Sequence, residues 1–517
     1  MRTLECVRGV PPHLLLCVWL ALSCASPALA QRWTIDPSVE TQATLTNNAN
    51  YGNGSQGEGD LILSIEPAVN FLREGPRLKV NGSASLNVIG YAQGTQTSRI
   101  FPRANILAEL EAVERFFFVE AELRANQSLL NPFLPQSETN STFNKYTYIQ
   151  GRIAPYLQGT FGSDWRYLVR SDNSYTYSTQ SNVPLSDAYY GSHVAEVVRS
   201  PTPLGGSLRV QSDITRFEDA QVNTAQVNAN QHLEIALATV NYAFTPQFVA
   251  GLRGGYERTS YTTTDESGPI YGAELLWTPN PRTRLGGFWE ERFFGPGYEF
   301  EFSNRQRALA SSVSVSRSIT TYPQLILQLP ATGNVSSLVN AILVARFPDP
   351  IERAGQAQDL INRQGLPESL PNGINIYSQG INVVTSGSGT LAWIGARNTA
   401  ALTLYYLKTE RLPDAAIPTT FITFNDNTQR GASLAFSHQW SPLVSLNATV
   451  SRREVRGLDQ AAGNDTDQNL VEVQATRQLT PRSSGFIGAR YQQWNSTSTT
   501  FGDSNEAAIF IGLIYRP

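Results

Sequence analysis

Residues 77–91 read RLKVNGSASLNVIGY. Leu78, Val80, Gly82, Ala84, Leu86, Val88 and Gly90 fall on one face, and Arg77, Lys79, Asn81, Ser83, Ser85 and Asn87 on the other. A strict period of two sustained over this length predicts a β-strand of ten or more residues with one face against apolar material and one against water. Neighbouring segments repeat the pattern. From Ala104 to Ala112, Ile106, Ala108 and Leu110 oppose Asn105, Glu109 and Glu111; from Phe117 to Ala125, Val119, Ala121 and Leu123 oppose Glu120, Glu122 and Arg124. Far along the chain Val444, Leu446, Ala448 and Val450 alternate with Ser445, Asn447, Thr449 and Ser451. Sandwich strands alternate too, but they average five or six residues. Strands of ten to twelve match a tilted crossing of a bilayer.

The connections have their own rhythm. Short turns are expected at Arg73-Glu74-Gly75-Pro76, Val113-Glu114-Arg115, Ser200-Pro201, Thr245-Pro246, Thr278-Pro279-Asn280-Pro281, Ser441-Pro442 and Thr480-Pro481-Arg482, with weaker ones near Gly162, Gln306 and Arg397. Proline presets a tight turn and cannot continue a hydrogen-bonded ladder. Longer polar loops are expected at Asn47 to Asp60, Gln127 to Lys145, Ser171 to Ser192 and Arg411 to Thr428. About ten short turns with a free strand at each end imply roughly 22 strands, and the expectation is an even number between 18 and 22. Aromatic residues stand beside the turns: Tyr242 and Phe244, Trp277, Trp440 and Tyr515, as interfacial girdles require. The fold expected is all-β, a transmembrane outer-membrane antiparallel β-barrel with a short helical insert.

Composition fits this reading. The 517 residues are 41% hydrophobic and 16% charged, and the three cysteines, Cys6, Cys17 and Cys24, all lie in the first 24 residues with Met1 the only methionine. Residues 1–30 carry Arg2 and Arg8, an apolar run LLLCVWLALSC and the ending Ala28-Leu29-Ala30, which reads as a signal peptide cleaved before Gln31. A lipoprotein cleaved at Leu22-Ser23-Cys24 is the runner-up, with Ala21 where a lipobox wants a large aliphatic residue. The remaining residues 31–517 then form one barrel, exported by the Sec route to the outer membrane of a Gram-negative bacterium. They lack sulfur, which excludes disulfides, cysteine ligands and cysteine nucleophiles. Without the leader, 37 Lys and Arg stand against 42 Asp and Glu. That sign opposes nucleic-acid binding.

Residues 320–380 break the alternation. Leu338, Ala341, Ile342 and Ala345 have helical spacing, Asp349 with Pro350 forms a helix start and Gly365 a helix end. A folded surface loop is the expected position for this insert; a constriction inside the barrel is the alternative.

Chemistry is sparse. His193, His232 and His438 are isolated from one another, and there is no His-Glu-x-x-His or Gly-x-Ser-x-Gly. Ser192-His193 reads as polar rim, Glu109/Glu111 and Glu120/Glu122 as hydrated lumen charges, and Gly251 to Gly255 and Gly286-Gly287 as strand glycines. No catalytic residue, metal ligand or cofactor is expected, and the protein is not read as an enzyme. The candidate lumen-facing residues are Lys79, Glu120, Arg124, Arg253, Arg284, Glu290 and Arg292. Rings of such charges would set the selectivity of a porin-like channel and bind sugar hydroxyls and carboxylates.

The segments SVETQATLTNNAN, LSIEPAVNF, RLKVNGSASLNVIGY, EERFFGPGYEFEF, FPDPIERAGQAQDLINRQGLP and WIGARNTAALTLYY together resemble the exosortase/PEP-CTERM system-associated outer-membrane β-barrel family. The closing alternation of Ile509, Ile511, Leu513 and Tyr515 resembles the signal read by the barrel assembly machinery, with Arg516-Pro517 in place of a terminal aromatic. The family resemblance implies a channel or conduit associated with exopolysaccharide export. Its implied partners are outer-membrane lipid, the assembly machinery, exopolysaccharide and export proteins. The competing expectation is a structural or adhesive barrel plugged by its insert, with no transport role. A TonB-dependent receptor is disfavoured because alternation starts within about 15 residues of the cleavage site, which leaves no room for an N-terminal plug.

Overall fold

A computed structural model describes residues 33–52, 56–135, 144–179, 187–218, 221–222, 225–226, 230–260, 265–328, 339, 343, 353, 356, 381–412, 426–497 and 502–517. Residues 1–30, read as a signal peptide, and most of the segment expected to be a helical insert lie outside the described residues. The strands are β1 (Trp33–Thr46), β2 (Asp60–Glu74), β3 (Leu78–Tyr91), β4 (Arg99–Val113), β5 (Phe117–Leu129), β6 (Lys145–Phe161), β7 (Trp165–Thr179) and β8 (Asp187–Arg199). Then come β9 (Leu204–Glu218), a separate small ribbon β10 (Gln221–Val222) and β11 (Ala225–Gln226), β12 (Asn230–Thr245), β13 (Phe248–Ser260), β14 (Asp265–Asn280) and β15 (Thr283–Arg292). The chain continues as β16 (Gly295–Arg305), β17 (Leu309–Thr321), a short helix α1 (Tyr322–Gln328), β18 (Ile381–Ile394), β19 (Asn398–Arg411) and β20 (Asn427–Ser441). It ends with β21 (Val444–Gly457), β22 (Asp465–Thr480), β23 (Ser483–Ser496) and β24 (Ser504–Tyr515).

Twenty-two of these strands pair antiparallel in one sheet. β1 closes onto β24 in the register Val39 with Tyr515 through Thr46 with Ala508, so the sheet has no free edge. The strand number is the top of the expected range. All ten anticipated short turns are found at one end, together with the beginning of β1 and the end of β24. That end is periplasmic by the usual arrangement of such barrels, and the longer connections lie at the other.

The periodicity of the sequence becomes two surfaces. Leu63, Ile65, Leu86, Leu123, Leu208, Val240, Leu252, Leu434, Val450, Val471, Ile487, Ile509 and Ile511 point away from the barrel axis and are exposed. Thr44, Ala154, Gln150, Thr176, Glu257, Ser433 and Glu506 point inward and are buried. This polarity is the reverse of a soluble protein's, and it requires a hydrocarbon solvent outside, as in an outer-membrane barrel. Trp33, Phe161, Trp165, Phe244, Trp277, Trp393, Trp440 and Tyr515 form an exposed aromatic girdle near the short turns. On the outer face of β20, Trp440 is ten residues from Arg430, a largely exposed arginine near the loop end. At about 3.4 Å per residue and a strand tilt of about 40°, those ten residues span about 26 Å of height, close to the apolar band of such barrels.

The Ser/Thr residues of the turns have a role beyond the adjacent proline. Thr245 Oγ1 accepts hydrogen bonds from the amides of Gln247 and Phe248, Ser441 Oγ from Leu443 and Thr480 Oγ1 from Arg482. Asn280 Oδ1 does the same for Arg282. Each turn carries a register shift beside it, so the hydroxyl or amide fills the acceptor site that the bulged ladder leaves open.

Two expectations need correcting. Ser171 to Thr179 is strand, not loop, and β8 starts at Asp187. Polar residues fill both faces there because β7 and β8 extend beyond the bilayer, where the outer face no longer meets lipid. The described start of the insert is also not a surface loop. α1 runs into the lumen and packs on inward-facing Tyr146 and Tyr148. Of the segments given helical spacing, Val339, Leu343, Arg353 and Gln356 are helical and Val339 is buried; the rest lie outside the described residues.

Candidate functional site in the lumen

Alternation places every second residue of each strand on the barrel's inner wall, and facing pairs across strands put charges of neighbouring strands side by side. All seven candidate residues are on that inner wall. In the register they share it with buried neighbours: Glu120 faces Ala154, Arg124 faces Gln150, and Arg253 with Glu290 flank Gly272.

Five of the seven belong to two ion-pair ladders. On β5, β6 and β7, Arg152 donates through Nη2 to Glu120 at 2.8 Å, through Nη1 to Glu122 at 2.9 Å and through Nε to Asp172 at 2.9 Å. Arg170 joins Glu120 at 2.5 Å and Asp172 at 2.7 Å, and Arg124 pairs with Glu122. The guanidinium of Arg170 lies over the Tyr156 ring at 5.2 Å, and that ring stacks on Phe118. The second ladder is on β13, β14 and β15. Arg253 reaches Glu274 and Glu290, each at 2.9 Å, while Arg292 pairs with the fully buried Glu257 and stands 3.7 Å from Glu290. Phe288 supports it, with Arg253 4.1 Å above its ring. The forks of Arg152, Arg170, Arg253 and Arg292 are each shared by two or three carboxylates, so fixing one side chain serves several charge-assisted bonds.

Lys79 and Arg284 stand apart from both ladders. They are exposed to the lumen near the periplasmic rim, and neither has a carboxylate within ion-pair distance among the described residues. The residues absent from the sequence reading are Arg152, Arg170, Asp172, Glu257 and Glu274. The alternation contained the signal for them, since each occupies the polar phase of its strand.

The upper part of the first wall holds α1. Arg124 Nη1 donates to the carbonyls of Ile326 at 2.8 Å and Leu327 at 3.1 Å, at the helix end where carbonyls lack partners. Gln150 Nε2 donates to Pro323 O at 3.2 Å and Gln324 Nε2 to Tyr190 Oη at 3.1 Å, and the hydroxyls of Tyr146 and Tyr322 are 2.5 Å apart. On the other side, Leu325 packs with Val384 of β18 and Leu407 of β19. The helix therefore ties the β5 to β8 sector to β18 and β19.

Ser192 and His193 form no dyad. Ser192 points inward and donates to Asp213 at 2.6 Å, whereas His193 is on the outer face with Ser171 Oγ 2.9 Å from its Nδ1. Successive strand residues cannot meet on one side of a sheet. No group of three His, Cys, Asp or Glu residues suited to a metal is found among the described residues.

No protein-family model and no curated protein matches the chain. Among solved structures it is similar to the siderophore receptor PirA from Acinetobacter baumannii, with 8% identity, a TM-score of 0.46 and coverage of 93% of this chain and 80% of that one. A ferric enterobactin receptor (PfeA) mutant from Pseudomonas aeruginosa gives 10% identity and a TM-score of 0.46, covering 93% and 80% of the two chains. The FrpB iron transporter from Neisseria meningitidis gives 9% and 0.47, covering 93% and 82%. Likeness at this level assigns no ligand.

Proposed function

We propose that the protein is a gated outer-membrane conduit for a polar, hydrated solute. The observation that supports this most is the position of α1: a short helix held inside the lumen by side-chain hydrogen bonds from the wall, continuous with a connection of 59 residues between β17 and β18. Twenty-two strands enclose far more space than their own side chains fill. A segment that partly occupies such a space can control passage. The two ladders give the wall fixed charges of both signs, suited to sliding contacts with hydroxyl and carboxylate groups. Lys79 and Arg284 would add free positive charge at the periplasmic mouth. On the family resemblance, the solute is an exopolysaccharide leaving the cell, and the partners are its export proteins.

Planar bilayers containing the purified chain test the channel, and deletion of the gene tests the cargo. Discrete conductance steps in the bilayer and less polysaccharide at the cell surface of the deletion strain are the expected outcomes. No conductance and unchanged surface polysaccharide would overturn the proposal.

The same helix favours a second reading, a barrel sealed by its insert that acts through its outer loops. In that case removal of the insert would open the pore without any effect on export.

A further inference from the structure

One row of the inner wall differs from the ladders. The register joins Tyr405 of β19 to Gly431 of β20, Gly431 to Arg453 of β21, Arg453 to Gln468 of β22, Gln468 to Trp494 of β23 and Trp494 to Ser504 of β24. All six positions share the inner face at one height. Arg453 and Tyr405 are each 8% exposed, Ser504 6% and Trp494 1%.

Four polar atoms of this row have no hydrogen-bond partner. Arg453 Nη2 donates to Gln468 Oε1 at 2.8 Å, but its Nε has no partner, and neither do Tyr405 Oη, Trp494 Nε1 and Ser504 Oγ. No carboxylate lies within ion-pair distance of Arg453 among the described residues, whereas Arg152, Arg170, Arg253, Arg292 and Arg490 each have at least one. An unpaired guanidinium out of water is costly, and so is each orphaned donor. Four of the eighteen orphaned side-chain atoms among the described residues fall on this one row. Gly431 makes room for the Tyr405 ring. A Cβ there would stand 2.6 Å from the Tyr405 ring, so the bare glycine lets that ring lie across β20 toward Arg453.

The geometry points to an oxyanion-binding site in the extracellular half of the lumen, with Arg453 supplying the charge and Tyr405 and Trp494 the flanking donors. Neighbouring strands are about 4.8 Å apart, so the donors on either side of Arg453 are spread over about 20 Å. That span is too long for one small ion and matches several consecutive residues of a chain that carries carboxylates. The ligand class is an acidic oligosaccharide. The choice of ligand rests on the conduit reading, while the site itself rests on the orphaned donors.

Calorimetric titration of the purified full chain in detergent, at fixed ionic strength, tests this with three probes: galacturonate trimer, cellotriose as its neutral counterpart, and inorganic sulfate. The expected result is saturable binding of the acidic trimer, none of cellotriose, a loss of at least tenfold in Arg453→Gln and of about fivefold in Tyr405→Phe, which keeps the ring and removes only the hydroxyl. Sulfate binding without trimer binding would overturn the oligosaccharide assignment. Wild-type affinity in both variants, or binding of no probe, would overturn the site. If the chain conducts but binds no probe, the site fails and the conduit stands; if it binds the trimer but never conducts, the site stands and the conduit fails.

Discussion

Arg124 shows how one side chain connects wall and lumen. Its phase in β5 was legible because Glu120, Glu122 and Arg124 recur every second residue opposite Val119, Ala121 and Leu123. Its grip on Ile326 and Leu327, 202 and 203 residues away, was not, since nothing local to either segment encodes it. Replacing it, Arg124→Gln, removes charge-assisted bonds worth about 1.5–3 kcal/mol each before any compensation. The expected outcome is a helix that leaves the wall more often, seen as more frequent openings in single-channel records with little change in unfolding midpoint. Glu257 behaves differently. It is fully buried against Arg292 and also accepts the Phe293 amide at 3.0 Å. Glu257→Gln leaves a buried cation short of its counter-charge and should cost about 3 kcal/mol, read as a lower guanidinium midpoint. Arg453 was invisible to sequence reading for a related reason: its alternation is the same as that of any other lumen arginine, and only the register reveals that its row lacks carboxylates.

Among the elements, the strands were legible because lipid outside and water inside impose opposite demands on alternate residues. Polar-on-both-faces segments defeat that logic, which is why Ser171 to Thr179 read as loop and is strand. The outer face allows a direct check. Val471 stands near the middle of β22, with Val450 and Tyr491 as its strand neighbours, while Asn469 is one step closer to the loops on the same face. Val471→Arg should destabilise the barrel by about 2–4 kcal/mol and Asn469→Arg by less than about 1 kcal/mol, because the cost falls with distance from the midplane. Equal losses at the two positions would place the apolar band elsewhere. The insert marks the other limit of legibility. Helical spacing around Leu338 to Ala345 suggested helix correctly in kind at Val339 and Leu343, but spacing says nothing of which side of a barrel wall a helix will choose. For α1 that choice is made by Arg124, Gln150 and Tyr146, three residues of the opposite sector.

For the whole molecule, the wall and its occupant have separate tasks. The wall closes on itself through β1 and β24 and needs no help from the lumen to satisfy its backbone. The helix, by contrast, is held by a handful of polar contacts and two small apolar clusters. Barrel integrity and passage through the lumen should therefore be separable by mutation. The most direct measurement is single-channel conductance of the full chain beside a variant in which residues 322–380 are replaced by a short Gly/Ser linker, each first shown to migrate as a folded barrel in unheated gels. If the lumen helix gates a conduit, the variant conducts several times more than the full chain, in long-lived steps. Equal conductance in the two, both folded, would contradict the account.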